Sequence, residues 1–356
     1  MAGGKYIRLA LTVPVIALCI TVGACQQQEI AQTPLLSEKD PTLVTEAEMR
    51  DTIPVVTAKN EVVAAKPKTV IAKIEKPSDP VRFNIAKYEA VPYRPGIIDS
   101  LIEVHGQDGW MTIMKLNRKD RKHVRKGDTL IIPTEMAAEI NFSPFPKEIP
   151  AIANIPKLMF ISQRVQAVAA YENGKLVRWM PTNTGKKATQ TPTGLKHTNW
   201  RSVKRNSTVD RSWVLEWYFN LTNDGVSLHK YDLPGYPASH SCIRLLEHDA
   251  KWIYNWADAW ILLKTSGKVA EGTPVIIMDK YDFGKPKPWK LVAEDPEAGM
   301  VTNAEIQEQL DKYLDKIIAE TQQRKDYLEK RKALHAQEAA ANTNEASTPL
   351  LEERGH

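Results

Sequence analysis

The chain has 356 residues, of which 42% are hydrophobic and 26% are charged, and its formal net charge is +5 at pH 7. This length and composition indicate a globular protein of about two domains that carries some additional polar sequence. The basic residues are spread along the chain without a basic run interleaved with aromatic residues, which argues against a nucleic acid as partner.

The N-terminus has the pattern of an export signal. Lys5 and Arg8 precede an apolar run over residues 9–22, which is too short for an ordinary membrane-spanning helix. The following Gly23-Ala24-Cys25 resembles the lipobox of bacterial lipoproteins. This resemblance implies a signal peptide over residues 1–24, cleavage before Cys25 and lipidation of Cys25. An uncleaved anchor helix is the alternative, and both interpretations tether the chain outside the cytoplasm.

Residues 25–80 are polar and rich in Lys, Glu, Thr and Pro, which predicts a flexible tether after the lipidated cysteine. Gln26 stands where the lipoprotein pattern has Asp for retention in the inner membrane. If the cell is Gram-negative, the resemblance therefore implies an exported lipoprotein in the outer membrane that faces the periplasm.

Residues 82–135 predict a small α+β module. We expect a helix over residues 110–118 and a strand over residues 129–132 that is stopped by Pro133. This half of the module, with its turn at Lys126-Gly127-Asp128, resembles the end of a LysM glycan-binding repeat, whereas the first half lacks the Gly-Asp-Thr turn of that repeat. The resemblance implies glycan as a partner, and a plain packing domain is the alternative.

Residues 136–155 contain several prolines and predict a linker, after which residues 156–280 predict a mainly β domain. A turn at Asn173-Gly174 predicts a hairpin. Strands are expected over residues 159–171, 176–179, 213–219, 226–229 and 275–278. One helix over residues 248–263 would place Trp252, Trp256 and Trp260 on a single face that packs against the sheet.

Residues 281–356 predict a charged tail. An amphipathic helix is expected over residues 303–334, either solvated or presenting a docking face. Its apolar side would carry Leu310, Leu314, Ile317 and Ile318. From Gln337 onward the composition predicts a disordered end.

A lone cysteine in the β domain is the strongest chemical feature. Cys19 would leave with the signal peptide and Cys25 would carry lipid, so Cys242 has no partner for a disulfide in an oxidising compartment. It follows His240 on a loop, after a predicted strand that ends at His229, and a histidine contact lowers the pKa of a thiol. This pattern indicates a nucleophilic cysteine. An inert buried cysteine is one alternative.

A zinc site is the other alternative. Its four ligands would be His229, His240, Cys242 and His248, although their spacing matches no standard zinc site.

The sequence Ser239-His240-Ser241-Cys242-Ile243-Arg244 and the upstream His229 resemble the catalytic domain of the L,D-transpeptidases (YkuD-type), in which a histidine precedes a Ser/Thr-His-Gly-Cys loop. The Thr-Pro-x-Gly block of that family appears at residues 191–194 after Thr184-Gly185, and its closing Gly-Thr-x-Val strand appears at residues 272–275. The resemblance spans residues 156–278.

Two features depart from the family pattern. Ser241 replaces a glycine, which predicts a strain of about 1 kcal/mol if the position has a positive φ. The spacing between His229 and Ser239 is also short.

The resemblance implies a mainly β (α+β) fold, with a β-sandwich catalytic domain that has one main helix and is preceded by the small α+β LysM-like module. Cys242 would be the nucleophile and His229 the base, with His240 in support or sharing that role. Ser239, Ser241 and Arg244 would hold the loop and the substrate. Backbone N–H groups of Ser241 and Cys242 would form the oxyanion hole. No cofactor and no metal are implied.

The implied activity is peptidoglycan remodelling. A tetrapeptide stem would acylate Cys242 with release of D-alanine, and an amine acceptor would take the acyl group. Water as acceptor would make the enzyme an L,D-carboxypeptidase, and a degenerate site would leave a non-catalytic peptidoglycan-binding lipoprotein. The expected partners are stem peptides, glycan through the module, and the membrane through the N-terminal lipid.

Overall fold

The computed structural model describes residues 79–263 and 267–346. The predicted signal peptide, Cys25 and the tether up to residue 78 lie outside the described residues. In the part of the chain that the structure describes, no helix is long and apolar enough to cross a membrane.

A two-stranded antiparallel sheet and a long bent helix form the N-terminal module. β1 (Tyr88–Pro92) pairs with β2 (Thr129–Pro133), and α1 (Ile97–Asn117) connects them. α1 bends at Gly106, where φ is 70°, so the helix predicted over residues 110–118 is the second half of a longer element. The predicted strand is confirmed as β2. The module has its own apolar core, formed by Ile97, Trp110, Ile113, Met114, Leu130 and Ile132.

A five-stranded sheet and a four-stranded sheet build the β domain. In chain order the strands are β3 (Leu158–Ser162), β4 (Ala167–Glu172), β5 (Lys175–Pro181), β6 (Gly194–His197), β7 (Arg201–Asn206), β8 (Val214–Asn220), β9 (Ser227–Lys230), β10 (Ile243–Leu245), β11 (Ile261–Leu263), β12 (Gly267–Ala270) and β13 (Pro274–Met278). The five-stranded sheet has the order β5-β4-β3-β13-β6, and the four-stranded sheet has the order β10-β9-β8-β7. β3 and β13 are parallel, as are β9 and β10, and the other pairs within these two sheets are antiparallel.

The inner core lies between the two sheets. Alternating residues of β3 point in opposite directions, as the period of a strand requires. Met159 and Ile161 contact the inner core, together with α2 (Glu247–Trp256). The other sheet contributes Phe219, Leu228, Ile243 and Leu245. The predicted mainly β sandwich with one main helix is therefore confirmed.

The outer face of the five-stranded sheet is also covered. Leu158 and Phe160 of β3 pack there against the segment before β3 and against α4 (Asn303–Ala346), which follows the short α3 (Pro288–Leu291). The covering residues include Phe142, Phe145, Ile149, Ile152, Ile306 and Leu310. Residues 136–155, expected as a linker, thus contribute to the core because their apolar side chains bury against the sheet.

Two further elements differ from their predicted extents. The expected strand over residues 159–171 is divided by a turn at residues 163–166, and the hairpin turn at Asn173-Gly174 is confirmed. The helix expected over residues 248–263 ends at Trp256. It ends there because Ala257 is extended and the backbone N–H of Asp258 donates to Thr273 Oγ1. Tertiary hydrogen bonds therefore override the helical pattern.

The tryptophan face is consequently shorter than predicted. Trp252 and Trp256 stack with ring centroids 5.0 Å apart and pack against the inner core. Trp260 lies beyond the helix, where its backbone N–H donates to Asn199 O.

α4 packs its apolar side against its own β domain, whereas the sequence predicted a solvated helix or a docking face. Leu310 and Ile317 are buried, and Ile318 is 48% exposed. The helix continues to Ala346, although disorder was expected from Gln337 onward. Alanine, glutamine and glutamate in this stretch favour a helix, which explains the difference.

Candidate active site

Two parallel strands bring the predicted site residues to one face of the four-stranded sheet. In the register of β9 and β10, His229 lies beside Arg244 and Leu228 lies beside Ile243. Because successive side chains of a strand alternate between faces, Leu228 and Ile243 enter the inner core and His229 and Arg244 lie on the opposite face. Cys242, one residue before Ile243, shares that opposite face.

Cys242 is half-buried and lies beside Ser227. Its Sγ is 3.4 Å from Ser227 Oγ and 3.6 Å from the Gly225 carbonyl oxygen. Ser227 precedes His229 by two residues on β9, so its contact with Cys242 places the thiol on the same face of the sheet as His229. The predicted nucleophile and the predicted base therefore share one face of the four-stranded sheet.

His229 is buried and neutral at pH 7. Its Nδ1 donates a hydrogen bond to Lys230 O over 2.9 Å, which places the free lone pair on Nε2. Burial lowers the pKa of His229 to about 4, the Lys230 hydrogen bond opposes this shift, and the charge of Arg244 adds to it. The Nε2 of His229 is therefore free to accept a proton.

His240 has a different environment. Its Nε2 lies 2.9 Å from Lys186 Nζ, and an ammonium group can only donate, so Nε2 accepts. Burial, then Lys186 and Arg244, lower the pKa of His240. Its Nδ1 is buried without a hydrogen-bond partner among the described residues. The lone pair of His240 is occupied, which distinguishes it from His229.

The cysteine loop is held by the upstream motif that the sequence analysis identified. The Ser239 N–H donates to Thr184 O at 3.1 Å, and Ser239 Oγ donates to Cys242 O at 2.6 Å. Thr191 Oγ1 accepts the N–H of Gly185 and donates to Ser241 O, both at 2.9 Å. Three separated stretches of sequence therefore meet at this loop.

Two backbone positions of this region have restricted conformations. Ser241 has a φ of 80°, so the condition under which the sequence predicted strain at this position is met. Gly185 permits a close approach of the chain, because a Cβ there would lie 2.0 Å from Thr189 O.

Arg244 is fixed between backbone and aromatic contacts. Its backbone N–H and carbonyl oxygen exchange hydrogen bonds with Asn183. Its guanidinium lies 4.4 Å from the centre of the Tyr231 ring, within range of a cation–π contact. Arg244 therefore presents a fixed positive charge beside His229.

The four residues of the zinc alternative have separate partners, since His248 Nε2 lies 3.4 Å from Asp249 Oδ1 and the other three make the contacts given above. In the described part of the chain, the grouping with ligand atoms close enough to share an ion is His197, Glu271 and Glu320, within 4.8 Å of one another. Glu320 accepts from His197 Nε2 at 2.9 Å, and Lys268 pairs with Glu271. Ion pairs account for this cluster, which lies at β6 and α4.

Ser227 and Lys186 are site residues that were not predicted from the sequence. Ser227 has a detectable signal, because it precedes His229 by two residues in a predicted strand and so shares its face. Lys186 has no such signal, since its contact with His240 depends on the meeting of two distant loops.

The β domain was compared with known protein families. Residues 156–277 match the family model of the L,D-transpeptidase catalytic domain, YkuD. A comparison with curated proteins gave no match.

Several solved structures are similar to parts of the chain. An L,D-transpeptidase from Xylanimonas cellulosilytica is 20% identical, covers 58% of this chain and 100% of its own, and has a TM-score of 0.33. One from Stackebrandtia nassauensis is 14% identical, with coverages of 57% and 98% and a TM-score of 0.32. L,D-transpeptidase 1 of Mycobacterium tuberculosis is 18% identical, with coverages of 43% and 67% and a TM-score of 0.26.

These TM-scores are low, so the family of residues 156–277 is assigned from the family model and not from the solved structures. Residues 156–277 form an L,D-transpeptidase catalytic domain of the YkuD family.

Proposed function

We propose that the protein is a cysteine L,D-transpeptidase that remodels peptidoglycan, with Cys242 as nucleophile and His229 as base. The observation that carries the proposal is the shared face of β9 and β10, where the Cys242 thiol contacts Ser227, two residues before a neutral His229. A thiol needs a nearby proton acceptor to become a thiolate, and His229 Nε2 has a free lone pair. The occupied lone pair of His240 favours a supporting role for that residue.

The proposed reaction begins when His229 accepts the thiol proton of Cys242. The sulfur bonds to the carbonyl carbon between the third, L-centred residue and the terminal D-residue of a tetrapeptide stem. Backbone N–H groups at Ser241 and Cys242 stabilise the oxyanion. The tetrahedral intermediate then releases the amine of D-alanine, which takes the proton from His229, and a thioester remains.

An acceptor completes the cycle by attacking the thioester carbonyl. An amine of a neighbouring stem would give a cross-link, and water would give a carboxypeptidase product. Arg244, fixed over Tyr231 beside His229, would attract a carboxylate of the substrate. The non-catalytic alternative has one supporting observation, the positive φ of Ser241 where the family has glycine.

We also propose that Cys25 is lipidated and that the protein faces the periplasm from the outer membrane, as the N-terminal sequence predicts.

The N-terminal module could either pack against the catalytic domain or bind glycan. Its contacts with the catalytic domain include Lys115 Nζ at 3.5 Å from the buried Asp249 carboxylate, which favours a packing role. Glycan binding by the module stays a prediction.

The test is incubation of residues 26–356 with a defined tetrapeptide muropeptide and analysis of the products by mass. A product that has lost D-alanine, either cross-linked or hydrolysed, supports the proposal and identifies the acceptor. Cys242→Ser is the control and should give no product. Unchanged muropeptide with the wild-type protein would favour the non-catalytic alternative.

A further inference from the structure

The N-terminal module contacts the segment that links the candidate base to the candidate nucleophile. This connecting segment, residues 231–238, follows β9, which carries His229, and leads to the loop that carries Cys242. Lys119 of the module and Pro234 of the connecting segment form an isolated antiparallel bridge. The path between the two candidate catalytic residues is therefore set in part by the module.

Asp120 makes two hydrogen bonds to Leu233, in the middle of the connecting segment. Its backbone N–H donates to Leu233 O at 3.0 Å, and its Oδ2 accepts the Leu233 N–H at 2.9 Å. Its other carboxylate oxygen lies 2.6 Å from His123 Nδ1, which orients the group. Leu233 is fully buried. Loss of the carboxylate would thus leave the Leu233 N–H unpaired, a costly change in a buried position.

A second contact between the module and the connecting segment is the packing of Lys119 against Gly235. Gly235 has a φ of 82°, and a Cβ there would lie 2.8 Å from Cε of Lys119. The Lys119 side chain is itself held, because its Nζ pairs with Asp128 at 2.5 Å. Glycine is therefore required at residue 235 both by its backbone conformation and by the packing of Lys119.

The end of the connecting segment is held from the catalytic domain. Asn183 Oδ1 accepts the Ala238 N–H at 3.0 Å, and Asn183 Nδ2 donates to Tyr236 O. The segment is thus fixed in its middle by the module and at its end by the motif beside the cysteine loop. It also spans the short interval between His229 and Ser239.

We propose that Asp120 is a positioning residue for the Cys242 loop, an inference that rests on the proposed function. Its carboxylate fixes Leu233, and the fixed segment sets the position of Cys242 relative to His229. The N-terminal module is then part of what assembles the active site, in addition to any role in binding the wall.

The test compares Asp120→Ala with Asp99→Asn in otherwise complete residues 26–356. Asp99 is a matched control because it is an acid of the same module, 81% exposed, whose contact is with Arg121. The rates of carbapenem addition to Cys242 and of its alkylation by iodoacetamide are measured below the unfolding midpoints of all variants. We expect D120A to slow acylation about 10- to 100-fold, the size expected of a misplaced reactive group, and D99N to match the wild type.

The kinetic pattern separates positioning from stability. In muropeptide turnover, D120A should lower kcat with little change in KM, and Asp120→Asn, which keeps an oxygen acceptor for Leu233, should recover most of the rate. Equal acylation rates in folded D120A and wild type overturn the inference. If D120A does not fold, His123→Ala takes its place because His123 orients the Asp120 carboxylate, and an acylation rate in folded H123A equal to that of the wild type overturns the inference.

A wild-type protein that forms no carbapenem adduct would contradict the proposed function. In that case the alkylation rate of Cys242 decides the inference alone: a changed rate in D120A supports it, and an unchanged rate overturns it.

Discussion

Lys186 donates a hydrogen bond to Nε2 of His240 over 2.9 Å, and this contact gives the two histidines of the site different chemistry. The ammonium occupies the lone pair that a general base needs. His229, in contrast, uses Nδ1 for a backbone carbonyl and keeps Nε2 free. The sequence alone left the base undecided, and the hydrogen bonds favour His229.

The first prediction concerns the two histidines. His229→Ala should reduce the rate of muropeptide turnover by about 100-fold or more, the usual contribution of a positioned base. His240→Ala should reduce it much less, because Nε2 of His240 already accepts from Lys186. Steady-state kinetics of both variants with matched thermal melts are the measurement. A full loss in H240A with near-normal H229A would reverse the roles.

The second prediction is the pH dependence of stability. The pKa of His229 is about 4 in the folded protein and about 6.5 in the unfolded chain. As the pH falls from 6.5 to 4, the unfolded chain binds the proton first, so the free energy of unfolding should decrease by about 3 kcal/mol. Urea denaturation across this range measures it, with His229→Gln as the comparison. Identical pH slopes in both proteins would contradict a buried neutral His229.

The pH dependence of the activity should also be set by the protonation of His229. A base must be unprotonated, so the acid limb of kcat/KM should have its midpoint near pH 4, well below the value of an unperturbed histidine. A midpoint near 6.5 would indicate that an exposed histidine is the base.

The third prediction concerns Ser241, whose φ of 80° disfavours any residue with a Cβ. Ser241→Gly should raise the free energy of unfolding by up to about 1 kcal/mol and leave the acylation rate equal or higher. Ser241→Ala is the control, since it keeps the Cβ and removes only the hydroxyl. Chemical denaturation of the three proteins measures this difference in the free energy of unfolding. A destabilised S241G would contradict the prediction, because it would show that serine is not strained at this position.

The candidate nucleophile and base could be predicted from the sequence because they belong to short local motifs, and their roles stay predictions. The blocks at Thr184-Gly185 and Thr191, which resemble the family in sequence, contact the cysteine loop in the structure. The roles of Lys186 and Asp120 were not predictable, since each acts through a contact between segments distant in sequence. Helical periodicity likewise did not reveal that Ala257 and Asp258 leave the helix to bond Thr273.

The fourth prediction concerns the N-terminal module. Deleting residues 82–135 removes Lys115, which pairs with Asp249, a fully buried carboxylate also bound by Arg178 at 2.7 Å. The deletion should therefore lower the free energy of unfolding by about 2 kcal/mol or more. Thermal melts and sedimentation with purified wall sacculi are measured together. An unchanged melting midpoint with lost sedimentation would contradict the packing role and support glycan binding.

The most direct test of the cysteine mechanism is the intact mass of residues 26–356 after incubation with a carbapenem, whose strained ring acylates an active nucleophile. We expect one covalent adduct per chain in the wild type, located on Cys242 by peptide mapping, and none in Cys242→Ser. An adduct that persists in the serine variant, or a wild-type protein that gains no mass, would contradict it.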